Sequence, residues 1–500
     1  MKSSFVDVIN IRRMAFATIA RMAYNNESLS GLQDETYKDL PGEVATFREN
    51  VFRERAIYGE RLRMVLGLDA RTADETLSIT EGIEDIDIES ITLGHDLVSV
   101  IKIACEACPE NHVSITADCR YCLAHPCSNV CPANAIYSKE GKMHIDQDKC
   151  IKCSKCVREC PYHAIIETVR PCSDVCAVDA INTDYLNRAE IDHDACVACG
   201  ACLTACPFGA ISDKSQIYQV IKAIQSSDKV YAIIAPSFVG QFGPLTKPNQ
   251  VLDAIIELGM DGVVEVGLGA DLTTMHEAQE FLEYVPDKLD YMGTSCCYSW
   301  KLMVNKKFPD QKEFISESST PMVYTAQQIK KREPEAKVVF IGPCLSKKLE
   351  ATQEHVKTHV DFVLTFEELL GMFVARDIEP ASIETADEIN HASETGRNYA
   401  IGGGVAAAVV ARAKELDPDR ELKVERADGL KECVTLMRLA KAGRKNGMLL
   451  EGMACTGGCV GGPGTVVPIQ RSTRAVKEFA KESKFSSPAE NTMIPPEDKV

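Results

Sequence analysis

The sequence predicts a multidomain α/β protein whose α/β part is preceded by a cysteine-rich α+β region and a helical N-terminal region. Residues 1–100 contain no cysteine and have helical patterns rich in Arg and Glu, whereas residues 101–214 contain 16 of the 22 cysteines. Residues 215–470 alternate apolar strand-like runs with helical segments, and residues 471–500 are predicted to form a C-terminal helical tail. Because a chain of 500 residues is too long to fold around one hydrophobic core, we expect these regions to be separate domains.

Composition excludes several classes of protein. The chain is 45% hydrophobic and 26% charged, which is typical of globular proteins. A net charge of -18 argues against a nucleic-acid partner, and no apolar run is long enough to predict a membrane span. Arg12-Arg13 could indicate an export signal, but Arg21 interrupts the apolar stretch and no cleavage site follows, so we predict an amphipathic helix from about Phe5 to Tyr24.

The number of cysteines indicates metal or redox chemistry. A disulfide scaffold is typical of small secreted chains, whereas a long chain without a recognisable signal peptide favours metal or redox sites in a reducing compartment. We therefore expect a cytoplasmic location.

A repeated unit organises the cysteine-rich region. Cys, three residues, Cys, three residues and Ala-Ile occur four times, at 127–136, 156–165, 172–181 and 202–211. In the second and fourth copies two upstream cysteines and a final Cys-Pro complete the bacterial ferredoxin run. In that run three close thiolates bind one [4Fe-4S] cube and the fourth reaches its neighbour, whereas a zinc site uses one or two cysteine pairs, so we favour cubes over zinc.

We pair the first repeat with the second and the third with the fourth, as two ferredoxin-like modules, because the connections 131–150 and 176–196 are nearly equal in length. The cross-ligation rule then predicts up to four cubes. Their ligands would be Cys119, Cys122, Cys127 and Cys160; Cys150, Cys153, Cys156 and Cys131; Cys105, Cys108, Cys172 and Cys206; and Cys196, Cys199, Cys202 and Cys176. His112 and His125 lie nearby, but we interpret them as ordinary polar residues because sixteen thiolates already satisfy four cubes.

The α/β part contains the other cysteines. Its strand candidates are Val230–Ile234, Gly262–Val266, Lys337–Ile341, Asn398–Ile401 and Gly447–Leu450. Ser237, Cys344 and Cys455 each follow such a strand, where α/β proteins place their chemistry. Cys433 is interpreted as a small buried hydrophobe.

Three segments carry a specific resemblance. They are Thr294-Ser-Cys-Cys-Tyr-Ser-Trp300, Gly342-Pro-Cys-Leu-Ser-Lys-Lys348 and Glu451-Gly-Met-Ala-Cys-Thr-Gly-Gly-Cys-Val-Gly-Gly462. Their glycines would allow close backbone approach to an inorganic body. Together they resemble the signature motifs of the [FeFe]-hydrogenase catalytic domain, from about Ala235 to Gly464. Departures from the family pattern are Tyr298 for a usual Pro, Gly342 for a common Met, and Ala406 with Ala407.

The resemblance implies a two-lobed α/β catalytic domain with its active site between the lobes. It implies an H-cluster, in which Cys297, Cys344, Cys455 and Cys459 hold a cube and Cys459 bridges to a diiron unit with carbon monoxide, cyanide and dithiolate ligands. Lys347 and the Pro236-Ser237 segment would face the cyanides, and Met453 would pack beside the diiron unit.

The resemblance further implies proton transfer from Cys296 through Glu280, Ser316 and Glu277 to the surface. Without the motif context, Lys347 would be read as a solvated surface cation, and Glu277 with Glu280 as an exposed helix face.

The implied function is reversible reduction of protons to dihydrogen, with a soluble electron carrier such as ferredoxin and maturation proteins that insert the diiron unit. Two alternatives stay open. One is a hydrogen sensor with slow turnover, a class that tends to lose the relay cysteine. The other is a non-catalytic iron-sulfur assembly protein, which should lack the surroundings of the diiron unit.

Overall fold

A computed structural model describes residues 6–72, 77–83, 93–94, 96–226, 228–385 and 389–496. The described part of the N-terminal region contains the α-helices α1 (Val6–Tyr24), α2 (Leu32–Asp39) and α3 (Val51–Val65). α1 has the expected bounds, and α2 ends just before the predicted break at Pro41-Gly42. The region is not wholly helical, because the strand β1 (Val98–Val100) lies at its end and pairs with a strand of the cysteine-rich region. Part of the predicted helical stretch, at 73–76, 84–92 and 95, lies outside the described residues.

Two similar modules form the cysteine-rich region. The outer module comprises β2 (His112–Ile115), α4 (Pro126–Asn129), β3 (Ile136–Lys139), β4 (Lys142–Ile145), α5 (Lys155–Glu159) and β5 (Ile165–Thr168). The inner module repeats this order with β1, α6 (Pro171–Asp174), β6 (Ile181–Thr183), β7 (Ala189–Ile191), α7 (Ala201–Ala205) and β8 (Ile211–Asp213). In each module the first and last strands pair antiparallel around a central hairpin. The pairing of repeats expected from the sequence is the one observed.

The first sheet of the α/β part is parallel and has the order β10-β9-β12-β13. Its elements are α8 (Ile217–Gln225), β9 (Val230–Ile234), α9 (Pro248–Glu257), β10 (Gly262–Glu265), α10 (Gly267–Tyr284), α12 (Pro321–Arg332), β12 (Lys337–Gly342), α13 (Ser346–Glu350), β13 (Phe362–Thr365) and α14 (Phe366–Ala375). Val338 pairs with Tyr231, and Ile341 with both Ile234 and Leu364. These apolar runs are buried because helices cover both faces of a parallel sheet.

The second sheet is also parallel, in the order β11-β15-β14. Its elements are β11 (Met292–Gly293), α11 (Tyr298–Lys307), α15 (Glu394–Asn398), α16 (Gly404–Leu416), β14 (Lys423–Asp428), α17 (Leu430–Lys441) and β15 (Met448–Met453), and α18 (Ile469–Lys481) follows. The predicted helical tail, 471–500, is α-helical only in its first part, where α18 ends at Lys481; residues 482–496 contain turns and the 3₁₀ turn Pro488–Glu490, and residues 497–500 lie outside the described residues.

Four of the five strand candidates form strands, and one was wrong. Asn398–Ile401 is the end of α15 followed by a buried turn before Gly402. Its apolar residues are buried because Tyr399 and Ala400 line the cavity described below, and a short apolar run cannot distinguish a strand from a buried turn. Strands β11, β13 and β14 were missed. β11 has only two residues, and β14 is an edge strand with charged side chains, which hide the usual strand pattern.

The N-terminal region is part of the main core. Ala15, Phe16 and Ile19 of α1 are buried in the main core, where α1 packs on α14 and α8. Arg12, one of the paired arginines, is buried and lies 3.2 Å from the Asp213 carboxylate in β8. Lys348 donates to Asp213 at 2.9 Å and to Glu368 at 2.9 Å. These buried ion pairs join the N-terminal helix, the inner module and the α/β part.

None of the helices among the described residues is both long enough and apolar enough to cross a membrane.

Candidate functional site

A cavity of about 860 Å³ lies where the carboxyl ends of both sheets meet. Ser237 follows β9, Cys344 follows β12, Cys297 follows β11 and Cys455 follows β15. Six thiols line the cavity, those of Cys199, Cys296, Cys297, Cys344, Cys455 and Cys459. Segments far apart in the sequence therefore converge at one place because parallel strands bring their carboxyl ends together.

The thiols of this cavity form a donor set that suits a metal cluster. Burial, together with neighbouring thiolates, raises the pKa of Cys344 to about 11 and that of Cys459 to about 12. Several thiolates so close together repel one another unless positive charge lies between them, and metal ions supply that charge. A set of thiols from several segments of the chain is the donor set of a thiolate-bound metal cluster.

Lys347 provides a buried positive charge in the wall of the cavity. Its ammonium donates to Glu350 Oε2 at 2.5 Å and to the Cys296 carbonyl at 3.3 Å. Burial alone would lower the pKa of Lys347, but the Glu350 carboxylate raises it above its ordinary value, so the group stays charged. Glu350 was missed at the sequence level; the three-residue spacing from Lys347 on a short helix was the available signal.

Ser237 and Met453 also lie at the cavity. The Ser237 hydroxyl is buried and has no hydrogen-bond partner among the described residues, and Pro236 lies beside it in the wall. A buried hydroxyl without a partner destabilises the protein unless a bound group accepts a hydrogen bond from it. Together with Lys347, it fits a bound body whose outer ligands are anionic or accept hydrogen bonds.

The glycines of the third motif allow protein segments to pack closely. A Cβ added at Gly462 would lie 2.6 Å from the Pro343 carbonyl oxygen, and one added at Gly458 would lie 2.5 Å from the Gly402 nitrogen. They allow the Cys455–Cys459 loop to pack on the Pro343-Cys344 segment and on the turn before α16. Both glycines also line the cavity, and their close approach to an inorganic body stays a prediction.

The acidic residues of the expected relay lie near Cys296 in the opposite order. Glu277 is fully buried, and its Oε1 accepts a hydrogen bond from the Ser295 amide at 2.6 Å. Glu280 is partly exposed, and it accepts the Ser316 hydroxyl at 2.5 Å. The order Cys296, Glu280, Ser316, Glu277 was therefore wrong: Glu277 is the inner carboxyl and Glu280 the outer one. Their three-residue spacing fixes a shared helix face but not which end of that face is buried.

Burial changes the proton affinity of both inner groups. It raises the pKa of Glu277 to about 7, so this carboxyl can hold or release a proton near neutral pH. Burial also raises the pKa of the Cys296 thiol, and the Glu277 carboxylate is the largest charged contributor to that increase. This influence places Glu277 electrostatically next to Cys296.

Gly342 has a structural explanation. A Cβ added there would lie 2.6 Å from the ring of Phe340, and that ring lines the cavity. Phe340 thus occupies space that a larger residue at 342 would need. Tyr298, another departure from the family pattern, also lies in the wall of the cavity.

Three smaller cavities of about 370, 320 and 370 Å³ lie within the cysteine-rich region. Their walls contain, in turn, Cys105, Cys108, Cys172 and Cys206; Cys131, Cys150, Cys153 and Cys156; and Cys119, Cys122, Cys127 and Cys160. The remaining four, Cys176, Cys196, Cys199 and Cys202, influence one another electrostatically. The structure thus brings together the four expected sets, and that each binds a cube stays a prediction.

The two histidines differ in their surroundings. His125 lies in the wall of the cavity that contains Cys119, whereas His112 is in β2, with Nδ1 3.0 Å from the Glu110 carbonyl oxygen.

Cys199 links the inner module to the candidate site, because it lies both among its own four cysteines and in the wall of the cavity of about 860 Å³. The inner module therefore touches the candidate site directly, a link that the sequence did not reveal.

Comparison with protein families agrees with this organisation. Residues 228–463 match the family "Iron only hydrogenase large subunit, C-terminal domain". Residues 166–217 match the "LdpA Fe-S cluster-binding domain" and residues 142–165 a "4Fe-4S binding domain".

Individual relatives are moderately similar. Iron hydrogenase 1 of Clostridium pasteurianum is 27% identical over 303 residues, which cover 51% of this chain and 53% of that protein. The periplasmic [Fe] hydrogenase large subunit of Nitratidesulfovibrio vulgaris is 29% identical over 386 residues, 66% of this chain and 90% of that protein. The chain thus spans about half the length of the first relative.

A solved structure of apo [FeFe]-hydrogenase HydA1 from Chlamydomonas reinhardtii is 23% identical, with a TM-score of 0.49, over 56% of this chain and 92% of that one. Residues 228–463 thus resemble the C-terminal domain of the iron-only hydrogenase large subunit, and in this chain they follow segments that match iron-sulfur-binding domains.

Proposed function

We propose that the chain catalyses the reversible conversion of two protons and two electrons into dihydrogen at an H-cluster held by Cys297, Cys344, Cys455 and Cys459. The observation that carries this proposal is the convergence of these four cysteines, from segments far apart in the sequence, on one cavity that also contains Lys347. The two parallel sheets would be the cores of two lobes, with the site between them.

The residues of the cavity would hold the H-cluster, which supplies the metal centre at which protons and electrons combine. Lys347 would balance the negative charge of cyanide ligands, since its ammonium is held in the wall by Glu350. The unpartnered Ser237 hydroxyl would donate to the same body, and Met453 would pack against it. The protein would thus orient the cofactor and set its electrostatic surroundings.

Protons would reach the cavity through Cys296. This thiol lines the cavity, and Glu277, which accepts a hydrogen bond from the amide of the adjacent Ser295, has a pKa of about 7. The Glu277 Oε2 atom is buried without a partner among the described residues, so it can hold the proton. Ser316 is buried and donates to Glu280, which is partly exposed and would exchange protons with solvent.

Electrons would pass through the cysteine-rich region. Its four cysteine sets would hold about four [4Fe-4S] cubes, with the set containing Cys199 nearest to the catalytic cavity. A soluble carrier such as ferredoxin would supply or accept the electrons, and maturation proteins would insert the diiron unit.

Infrared spectroscopy of protein loaded with the diiron cofactor tests the proposal. We expect carbon monoxide and cyanide bands together with dihydrogen evolution. Cys296→Ala should keep the bands but lose activity by about 10²- to 10⁴-fold, the usual contribution of a proton-transfer group. Glu283→Gln is the control, because Glu283 is exposed on α10, pairs with Lys288 and does not line the cavity, so activity should stay within about twofold.

Other outcomes would identify the alternatives. Bands with negligible turnover in the unaltered protein would indicate a sensor, and an absence of bands would indicate an iron-sulfur assembly protein. Unchanged activity in Cys296→Ala would refute its role in proton transfer.

A further inference from the structure

The outer module exposes one of its four-cysteine sets. Cys153 is the exposed cysteine among all those described; the others are partly or fully buried. It lies in the loop from Cys150 to Cys160, beside Ile151, whose side chain is 65% exposed. A metal cluster held by this set would therefore lie directly beneath the protein surface.

The same loop has a positive surface. Lys152, Lys155 and Arg158 are exposed and form no ion pair with any described residue. Glu159 is the one acidic residue between Cys150 and Cys160. Cations without local partners give the loop a surface that attracts negative charge.

The rest of the chain has the opposite charge. Residues 112–168 contain seven Lys and Arg against six Asp and Glu, a charge of +1. The whole chain carries -18, so everything outside the outer module carries -19. An acidic protein would therefore be repelled by most of the molecule and directed to the outer module.

The surface is also suitable for protein contact. Leu123, Tyr162 and Ile151 are all more than half exposed in this module. Exposed apolar side chains among cations form the kind of surface that a protein partner can cover. Elements of the module pack chiefly on one another, so this surface is not occupied by the α/β part.

We propose that the loop formed by Ile151, Lys152, Cys153, Lys155 and Arg158, the basic loop, docks an acidic one-electron carrier protein. Each encounter would pass one electron from the reduced carrier to the cube that Cys131, Cys150, Cys153 and Cys156 would hold, which would oxidise the carrier and reduce the cube. Two encounters supply the two electrons that join two protons in dihydrogen. This inference rests on the proposed function, of which it specifies the partner and its site.

The test uses stopped-flow reduction of the full protein by a reduced acidic bacterial ferredoxin, followed by the absorbance of the cubes. The variant is Lys152→Glu, Lys155→Glu and Arg158→Glu together. We expect its second-order rate constant at low salt to fall about 10- to 100-fold, because steering by charge is lost. In the unaltered protein the rate should fall as salt increases, and in the variant this dependence should disappear or reverse.

A matched control carries the same change of charge elsewhere. Arg471, Lys477 and Lys481 are exposed on α18 and form no ion pair with the described residues. Their triple change to Glu should reduce the rate less than threefold. Equal rates in the two triple variants would overturn the proposal.

Two further measurements keep the test decisive. Iron content and reduction by dithionite should be unchanged in the basic-loop variant, and Lys152→Gln, Lys155→Gln and Arg158→Gln together should give an intermediate rate. If iron is lost from the Glu variant, the Gln variant decides, and an unaltered rate there would overturn the proposal. Because the absorbance of the cubes does not depend on dihydrogen, failure of docking is distinguishable from failure of the proposed function, which viologen-driven dihydrogen evolution measures separately.

Discussion

The cysteine-rich region and the α/β part build their sites from cysteines in opposite ways. In the outer module, Cys150, Cys153 and Cys156 come from a single loop and share one small cavity. In the α/β part, Cys297, Cys344, Cys455 and Cys459 come from loops after three different strands and share a cavity of about 860 Å³. A site made by one loop depends on local spacing, whereas a site made by several strands depends on sheet topology.

The two regions also differ in their hydrophobic cores. The buried core of the outer module consists of six residues, and two of them are the cysteines Cys127 and Cys156. The α/β part and α1 share a much larger core of helices and sheet. A module with so small a core needs its metal clusters for stability, whereas the α/β part can hold its cavity by packing alone.

The largest expected effect comes from replacing one cysteine in each region, Cys344 in the α/β part and Cys153 in the outer module. Cys344→Ser should remove all measurable dihydrogen evolution but leave the overall fold intact, because packing positions the strands. Cys153→Ser should lose the iron of one cube and loosen the outer module, while viologen-driven evolution continues. Iron analysis, circular dichroism and gas chromatography measure these outcomes; equal loss of structure in both variants would contradict the comparison.

A second prediction uses the corrected order of the carboxyl groups. Glu277→Gln should lower dihydrogen evolution about 100-fold, because the inner group has no solvent to replace it. Glu280→Gln should lower dihydrogen evolution only about tenfold, since water can reach this partly exposed position and carry the proton instead. Glu283→Gln, on the exposed face of α10, is the control. A larger loss from Glu280→Gln than from Glu277→Gln would restore the original order.

The raised pKa of Glu277 also predicts the pH dependence of stability. Folding raises this pKa from about 4.5 to about 7, so the folded protein binds a proton that the unfolded chain releases. The Glu277 carboxyl makes its full contribution to the free energy of unfolding below about pH 4.5. This contribution is lost as the pH rises through about 7, which lowers the free energy of unfolding by about 3 kcal/mol. Denaturant unfolding should therefore show that the free energy of unfolding decreases less between pH 5 and pH 8 in Glu277→Gln than in the unaltered protein. The same decrease in both would contradict the assignment.

The smallest expected effect concerns the wall of the catalytic cavity. Gly342→Ala should destabilise the protein by about 1–3 kcal/mol, because the added methyl group would collide with the Phe340 ring. Phe340→Leu combined with Gly342→Ala should recover part of that loss, as thermal unfolding would show. No recovery in the double variant would mean that Phe340 is not the obstacle.

The sequence alone determined the features that depend on spacing and order along the chain, which are the repeated modules and most of the strands. The repeated cysteine unit predicted two similar modules, and four of the five strand candidates are strands. Ser237, Cys344 and Cys455 were expected after strands and lie there. These predictions succeed because a strand run or a cysteine loop is defined by neighbours in sequence.

Tertiary structure decided the features that depend on contacts between distant segments. Only packing shows that Glu277 is the inner carboxyl, that Glu350 holds Lys347, and that Arg12 ties the N-terminal helix to Asp213 in the inner module. Burial, pKa and partner choice arise from the side chains that surround a residue in space, and those neighbours are absent from its local sequence.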